Sequence, residues 1–578
     1  MKAPEETVKR ELLPWLAPWA AGLLTFAVFF AASRNGFLGS WDDDSNFLRN
    51  TNYRGLGWHQ LRWMFTTFHL GPYQPLSWLS YGLDYAAWGM NPFGYHLTSI
   101  LLHAANAVLF YLLSLRLLAQ GPASPADRLG ALCAALLFSL HPLRVEAVAW
   151  ISARGHILST LFFLLALLSW LDALQSGGSR RRRAASWLFY LLALLSKATA
   201  ICLPAVLVLM DVYPLARLPG DVRQWPSPRY RGVWREKLPF FLAAFAFAAI
   251  EAWARLQAHS LRTLSQAGLI ERLAQAAFGL TYYLQKTLIP ARLSADQIFG
   301  PWAVSRGPYL IAAASLAAVA AAFIAARKRW PAGLAAFACY GMILLPVIGI
   351  VKVGHETVAA RYSYASCLSW ALLGGAGLRN LARAAQAGGG GRKAFACAFC
   401  GAAALLAFFA FESRREIPQW RDSAALWRSV LRLEPMHPLA RHQLGLALIS
   451  RDQASEAALL WQEQLRLFPG DADARKALAE LVSRTWPAPP APAALCDAAA
   501  VDLLKRGELD RALWFFNKAL KLDPGLVRAR EHLGVALTRM GRYDEAIAHF
   551  QSALRLQPGN RAARADLRLA ESLKGRER

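Results

Sequence analysis

The chain has 578 residues, 55% of them apolar, with 21 Trp, a mean hydropathy of +0.25 and a formal net charge of +26. The apolar residues gather in runs of bilayer-crossing length, which excludes a purely soluble multidomain protein. The Lys and Arg fall mainly in short loops between those runs, a placement that fits the positive-inside bias and anionic lipid headgroups and argues against nucleic acid as a partner.

Lys9 and Arg10 precede the first apolar run, Leu13 to Ala32, and put the N-terminus in the cytoplasm. That run is too long for a signal-peptide core and lacks a small-residue cleavage site, so it reads as a retained helix. Trp41-Asp42-Asp43-Asp44 follows in the first external loop, with Asn46 and Asn50. Carboxylates this close to hydrocarbon are costly unless they face a water-filled cavity or bind something. One of them could deprotonate an acceptor hydroxyl while a neighbour raises its pKa; the alternative is an N-cap and loop solvation. Three adjacent Asp could also hold Mg²⁺ or Mn²⁺, although carboxylates alone do not require a metal.

Further apolar runs lie at 95–115, 129–146, 157–174, 186–214, 238–254, 309–326, 333–351, 364–378 and 394–411. Arg116 with Arg128, Arg180 to Arg183, the set from Arg217 to Lys237, Arg327-Lys328-Arg329, and Arg379 to Lys393 mark cytoplasmic turns. The stretch 186–214 has positive clusters on both sides and is expected to cross twice, turning near Lys197. About eleven crossings result, with the C-terminal tail outside. Leu273 to Ile289 reads as an interfacial or re-entrant helix.

Three more polar sets fall at outer helix ends. His141-Pro142-Leu143-Arg144-Val145-Glu146 continues to Trp150 and Arg154, and Arg144 with Glu146 is expected to form a structural pair that fixes the loop. Lys197 could hold a phosphate as a point charge, or merely snorkel. His355 and Glu356 lead to Arg361-Tyr362-Ser363-Tyr364, where Arg361 could clamp a lipid phosphate or serve with Tyr362 as an interfacial anchor. Cys397-x-x-Cys400 has no second pair, and P-loop, Rossmann and Gly-x-Ser-x-Gly patterns are missing. Zinc, ATP, dinucleotides and serine hydrolysis lose support accordingly.

The tail carries an internal period. Pro435 and Pro469 are 34 residues apart, as are Pro524 and Pro558, and Gly507 and Gly541. Leu444-Gly445 and Leu533-Gly534 hold equivalent places, and Gly541-Arg542-Tyr543-Asp544-Glu545-Ala546 with Ala553 and Pro558 has the tetratricopeptide pattern. About two full units and two half units are visible, with a break near 485–495.

Taken together, these segments resemble a known family. Trp41-Asp42-Asp43-Asp44, Tyr73-Gln74-Pro75-Leu76-Ser77-Trp78, Trp88-Gly89-Met90-Asn91-Pro92, Gly94-Tyr95-His96-Leu97, the His141 to Glu146 motif, Arg361-Tyr362 and the repeats are similar to tetratricopeptide-repeat membrane proteins with a C-type glycosyltransferase domain. That family includes transmembrane O-mannosyltransferases and bacterial relatives. The resemblance implies an all-α chain: a transmembrane helix bundle over 1–412 and a repeat solenoid over 413–578. It implies inverting transfer of mannose or another hexose from a polyprenyl-phosphate donor to Ser or Thr of an extracytoplasmic protein held by the repeats. Asp43 or Asp44 would be the base, Lys197 and Arg361 would hold the donor phosphate, and Asp42, Arg144, Glu146, Arg154 and Tyr362 would support them. A multi-pass protein of a bacterial inner membrane, with its repeats in the periplasm, is the expected setting. Three positions depart from the family pattern: His156 and Ala360 stand where an acid is common, and Ala198 follows Ser196-Lys197. The competing readings are a non-catalytic scaffold for envelope complexes and, more weakly, a transporter, whose charges should line a path to both faces.

Overall fold

A computed structural model describes residues 4–119, 121–258, 265, 268–296, 306–350, 358–387, 391–485 and 492–577. Every regular element among them is helical. They form two compact units, Met1–Asp422 and Ser423–Arg578.

The first unit contains α1 (Pro4–Phe29), α2 (Trp58–Thr66), α3 (Pro75–Trp88), α4 (Pro92–Leu118), α5 (Pro125–Ser139), α6 (Val145–Ala149), α7 (Arg154–Gln175) and α8 (Arg180–Ser196). It continues with α9 (Leu203–Val212), α10 (Arg231–Gln257), α11 (Leu269–Leu288), α12 (Gly307–Ala326), α13 (Pro331–Leu344), α14 (Leu368–Gln386) and α15 (Gly391–Glu416). Six spans are long and apolar enough to cross a membrane, or seven if the bent pair α5–α6 counts as one. The other expected crossings exist as helices but are shorter or more charged: α9 and α13 are short, and α8 opens on four Arg. A helix covers most of the 273–289 stretch as well, and α11 packs along α12.

Polar ends and small residues hold the bundle together. Arg116 pairs with Asp172, Arg183 with Glu236 at 3.2 Å, and Arg383 with Asp127 at 2.8 Å, all at the end where the basic loops lie. Gly130 and Gly375 let α5 and α14 touch backbone to backbone; a Cβ on Gly130 would stand 2.7 Å from the Gly375 carbonyl. The third expected crossing is broken. Pro142 cannot continue the helix, His141 Nδ1 accepts from Leu143 N at 3.2 Å, and the chain bends by 56° before α6. The hairpin expected over 186–214 shows its break at the expected place, α8 stopping at Ser196 and Lys197 extended before a 3₁₀ turn leads into α9, but α9 is too short to count as a span of its own.

The second unit is a helical array: α16 (Ser423–Leu433), α17 (Pro438–Ile449), α18 (Ala454–Leu467), α19 (Ala472–Thr485), α20 (Pro492–Lys505), α21 (Leu509–Leu522), α22 (Val527–Arg539), α23 (Tyr543–Leu556) and α24 (Arg561–Glu577). Gly445 and Gly534 face Trp461 and Phe550 so closely that a Cβ would meet the rings at 2.5 and 2.6 Å. A second regularity is visible only in the structure. Six residues after each repeat Pro, an Arg donates back to that Pro carbonyl: Arg441 to Pro435, Arg475 to Pro469, Arg530 to Pro524 and Arg564 to Pro558. The pair α20–α21 supplies one more complete hairpin than the period of the sequence reveals, because α20 lacks the Leu-Gly landmark.

Candidate active site

The middle aspartate pins the loop that follows α1. Asp43 is fully buried, and its carboxylate accepts hydrogen bonds from Ser152 Oγ at 2.5 Å, Leu38 N at 3.0 Å and Trp150 Nε1 at 3.0 Å. Burial pushes its pKa up to about 6, against the opposing pull of the Ser152 and Leu38 donors and with a further push from Asp42. Asp44 turns the other way, to Arg49 at 2.7 Å, and Asp42 is exposed. The three carboxylates therefore diverge. Among the described residues no three His, Cys, Asp or Glu side chains converge as metal ligands, so a cation held by the aspartate triplet does not fit this arrangement.

The break at Pro142 carries Glu146 to the 3₁₀ turn Ala360–Ser363. Glu146 Oε1 pairs with Arg361 Nη1 at 2.5 Å, and Oε2 accepts from Ala360 N at 2.8 Å. The Arg361 guanidinium lies 5.0 Å from the Trp150 ring centroid and 4.9 Å from that of Tyr362. Trp150 thus bridges the two halves of the site, donating to Asp43 while its ring faces Arg361. Trp420 stacks beside it at 6.0 Å and 21°, and Trp41 meets it edge-on at 5.7 Å.

Lys197 reaches the same region from α8. Ser77 Oγ donates to the Ser196 carbonyl at 2.7 Å and Ser159 Oγ to the Ala193 carbonyl at 3.0 Å, which fixes the helix end. Gly155 leaves room for the lysine stem, since a Cβ there would be 3.3 Å from Lys197 Cδ. Lys197 Nζ donates to Gln74 Oε1 at 3.1 Å. Burial pulls its pKa down to about 8; Arg255 and Arg361 act in the same direction, while Glu251 and Asp42 oppose them. Asp42, Lys197, Arg361, Glu251 and Arg255 therefore share one electrostatic neighbourhood.

Glu251 and Arg255 escaped the reading of the sequence. Glu251 accepts from Tyr73 N at 3.2 Å and from Arg255 Nε at 2.9 Å. The available signal was a carboxylate embedded in the apolar run 238–254. Buried His156 lines a small cavity of about 20 Å³ with Arg361, Ser159, Thr160 and Thr199, so the histidine that departs from the family pattern faces the site.

Two expected supporting residues lie elsewhere. Arg144 is fully buried but does not pair with Glu146; it donates to the Ser363 carbonyl at 3.0 Å, the Tyr364 carbonyl at 2.6 Å and Ser363 Oγ at 2.9 Å. With no exposed surface, it positions the turn that carries Arg361. Arg154 is likewise fully buried, paired with Asp84 at 2.5 Å, bonded to Ser99 and the Tyr95 carbonyl, and stacked 4.5 Å over Tyr81. It ties α3 and α4 to α7. His355 and Glu356 lie outside the described residues.

Residues 498–561 match the tetratricopeptide repeat family. The chain is 35% identical over 175 residues to human protein O-mannosyl-transferase TMTC2, covering 30% of this chain and 20% of that one. It is 24% identical over 468 residues to Drosophila melanogaster protein O-mannosyl-transferase Tmtc3, covering 70% of this chain and 49% of the other. Against mouse protein O-mannosyl-transferase TMTC4 it is 27% identical over 237 residues, 37% of this chain and 32% of the relative. The chain thus spans half or less of the length of these curated relatives. These likenesses agree with a tetratricopeptide-repeat membrane glycosyltransferase family, as the motif order implies.

Proposed function

We propose that this protein is a membrane glycosyltransferase that moves a hexose, mannose being the first candidate, from a polyprenyl-phosphate donor to Ser or Thr of an extracytoplasmic protein, with inversion. The observation that supports the reading is that Trp150 donates to Asp43 while its ring faces Arg361, and that the charges of Asp42 and Arg361 both act on Lys197. A base and a pair of cations are what such a displacement needs. The base removes the hydroxyl proton as the oxygen attacks the anomeric carbon, and the cations stabilise the phosphate charge that grows as the sugar leaves.

Asp43 is the candidate base, and because it is fully buried here the first loop must shift to bring an acceptor hydroxyl to its carboxylate. A pKa of about 6 is close to working pH, and its three donors fix the carboxylate orientation. Asp44 is held by Arg49, and exposed Asp42 acts on Lys197 through its charge. Lys197 acts as a mobile point charge and Arg361 as an oriented one, its plane set by Glu146 and Trp150. The repeats would present the acceptor.

The test is incubation of purified protein with isotope-labelled polyprenyl-phosphate mannose and candidate envelope proteins, with mass spectrometry of the acceptors. Labelled Ser or Thr is expected with the wild type and none with the Asp43→Asn/Asp44→Asn variant, which still inserts in the membrane. Equal labelling by both proteins discards the proposal.

A further inference from the structure

The end of the bundle opposite Lys197 and Arg361 carries a second organised group of cations. Asp211, Asp221 and Glu236 are the acidic residues around it; inward-facing bases neutralise Asp211 and Glu236, and exposed Asp221 caps the turn at Val222, accepting from Arg223 N at 3.0 Å. Lys237 and Arg217 pair with Asp211, and Arg217 (2.5 Å) and Arg183 (3.2 Å) pair with Glu236. Lys237 is fully buried and lies 4.9 Å from the Trp170 ring centroid. Arg231 and Arg235, one helical turn apart at the start of α10, are exposed and have no ion-pair or hydrogen-bond partner among the described residues.

Those two guanidiniums edge a cleft of about 560 Å³ whose walls include Trp225, Trp234, Val222 and Pro226. The walls are fixed. Trp225 Nε1 donates to the Pro219 carbonyl at 2.9 Å, Trp234 Nε1 donates to the Trp225 carbonyl at 3.2 Å, and the two rings lie 5.7 Å apart. With their N–H groups bonded to backbone, the indoles offer apolar faces to the cleft. Less than one turn beyond Arg235, α10 exposes Leu238, Phe241, Leu242 and Phe245, with Phe245 79% exposed. That apolar face marks where hydrocarbon begins, so the cleft sits at headgroup depth.

We infer that this cleft is a binding site for an anionic phospholipid, with Arg231 and Arg235 on the phosphodiester and the two indoles against the glycerol and upper acyl chain. Charge complementarity selects the occupant: two unpaired cations side by side disfavour a zwitterionic headgroup, whose own cation would be pushed against them. The wall of Trp faces favours a lipid over a free inorganic anion, which leaves that surface unused. The site is independent of any chemistry at the other end of the bundle.

The experiment uses the full chain reconstituted in phosphatidylcholine vesicles containing a few per cent of phosphatidylglycerol brominated on its acyl chain. Tryptophan quenching in the wild type, minus that in Trp225→Phe/Trp234→Phe, reports occupancy of the cleft. Each Arg near an anionic headgroup contributes about fivefold, so Arg231→Gln/Arg235→Gln is expected to weaken occupancy roughly 25-fold. Arg231→Lys/Arg235→Lys, which keeps the charge, is expected to retain most of it. Brominated phosphatidylcholine at the same level is expected to give no quenching that distinguishes these proteins. Equal phosphatidylglycerol quenching in the Gln variant and the wild type, or equal preference for the two lipids in the wild type, overturns the site.

Discussion

Asp43→Asn separates the charge of the buried carboxylate from its shape. The Asn oxygen can keep the bonds from Trp150 and Ser152, but its amide nitrogen then faces Leu38 N, donor against donor, at a cost of about 1–3 kcal/mol. Against this stands the cost of ionising the wild-type group in a buried site. The rise from 3.8 to about 6 amounts to about 3 kcal/mol once the carboxylate is charged. The folded state holds this proton more tightly than the unfolded chain, so this contribution to stability is present at low pH and is lost as pH climbs from about 4 through about 6. Asn carries no such slope. The two terms nearly cancel at pH 7, so the variant should melt within a few degrees of wild type there and clearly below it at pH 4.5. Sugar transfer should fall by about 10²- to 10⁴-fold above pH 6, with the gap narrowing at lower pH as the wild-type carboxylate itself takes up a proton. Thermal-shift curves in detergent across pH 4–8, paired with the labelled-donor assay, measure both. A melting difference that does not change with pH refutes the assignment of a buried titrating carboxylate. Transfer at the wild-type rate refutes its role as base.

Three further outcomes are expected. Glu146→Gln leaves Arg361 largely buried beside a neutral partner and should lower the stability of the first unit by about 3–5 kcal/mol, seen as an earlier melting transition, with a raised KM for the donor. Lys197 loses its proton above about pH 8, so donor affinity should decline through that range; Lys197→Arg stays charged and should move the decline to higher pH, as titration of donor binding would show. Gly534→Ala sets a Cβ 2.6 Å from the Phe550 ring and should destabilise the α22–α23 hairpin by about 1–3 kcal/mol, detected as faster hydrogen exchange confined to that hairpin and its neighbours.

The sequence was informative where a residue's own type carried the signal. An aspartate cluster beside a bilayer-length helix, a lysine in an apolar stretch and an Arg-Tyr pair at a helix start are each anomalous in a membrane chain, and Asp42, Lys197 and Arg361 do share one neighbourhood. It failed where partners had to be assigned. Arg144 and Glu146 are two residues apart and of opposite charge, yet the turn at Pro142 sends Glu146 to Arg361 and Arg144 to the carbonyls of Ser363 and Tyr364. Arg154 looked like a site residue and proved to be a buried tie between helices, because Asp84 on α3 meets it at close range. Glu251 was overlooked because its surroundings in the sequence are those of an ordinary apolar helix.

The sequence by itself determined the helix-forming runs, the basic loops, the 34-residue period and the identity of the unusual polar residues, since length, hydropathy and local spacing are properties of neighbouring positions. Only the tertiary structure decided which of three adjacent aspartates is buried, which arginine faces the site and which merely holds the bundle. Those choices depend on contacts more than a hundred residues apart, such as Trp150 on Asp43 and Glu146 on Arg361, and in a low-dielectric interior such contacts set both charge state and orientation.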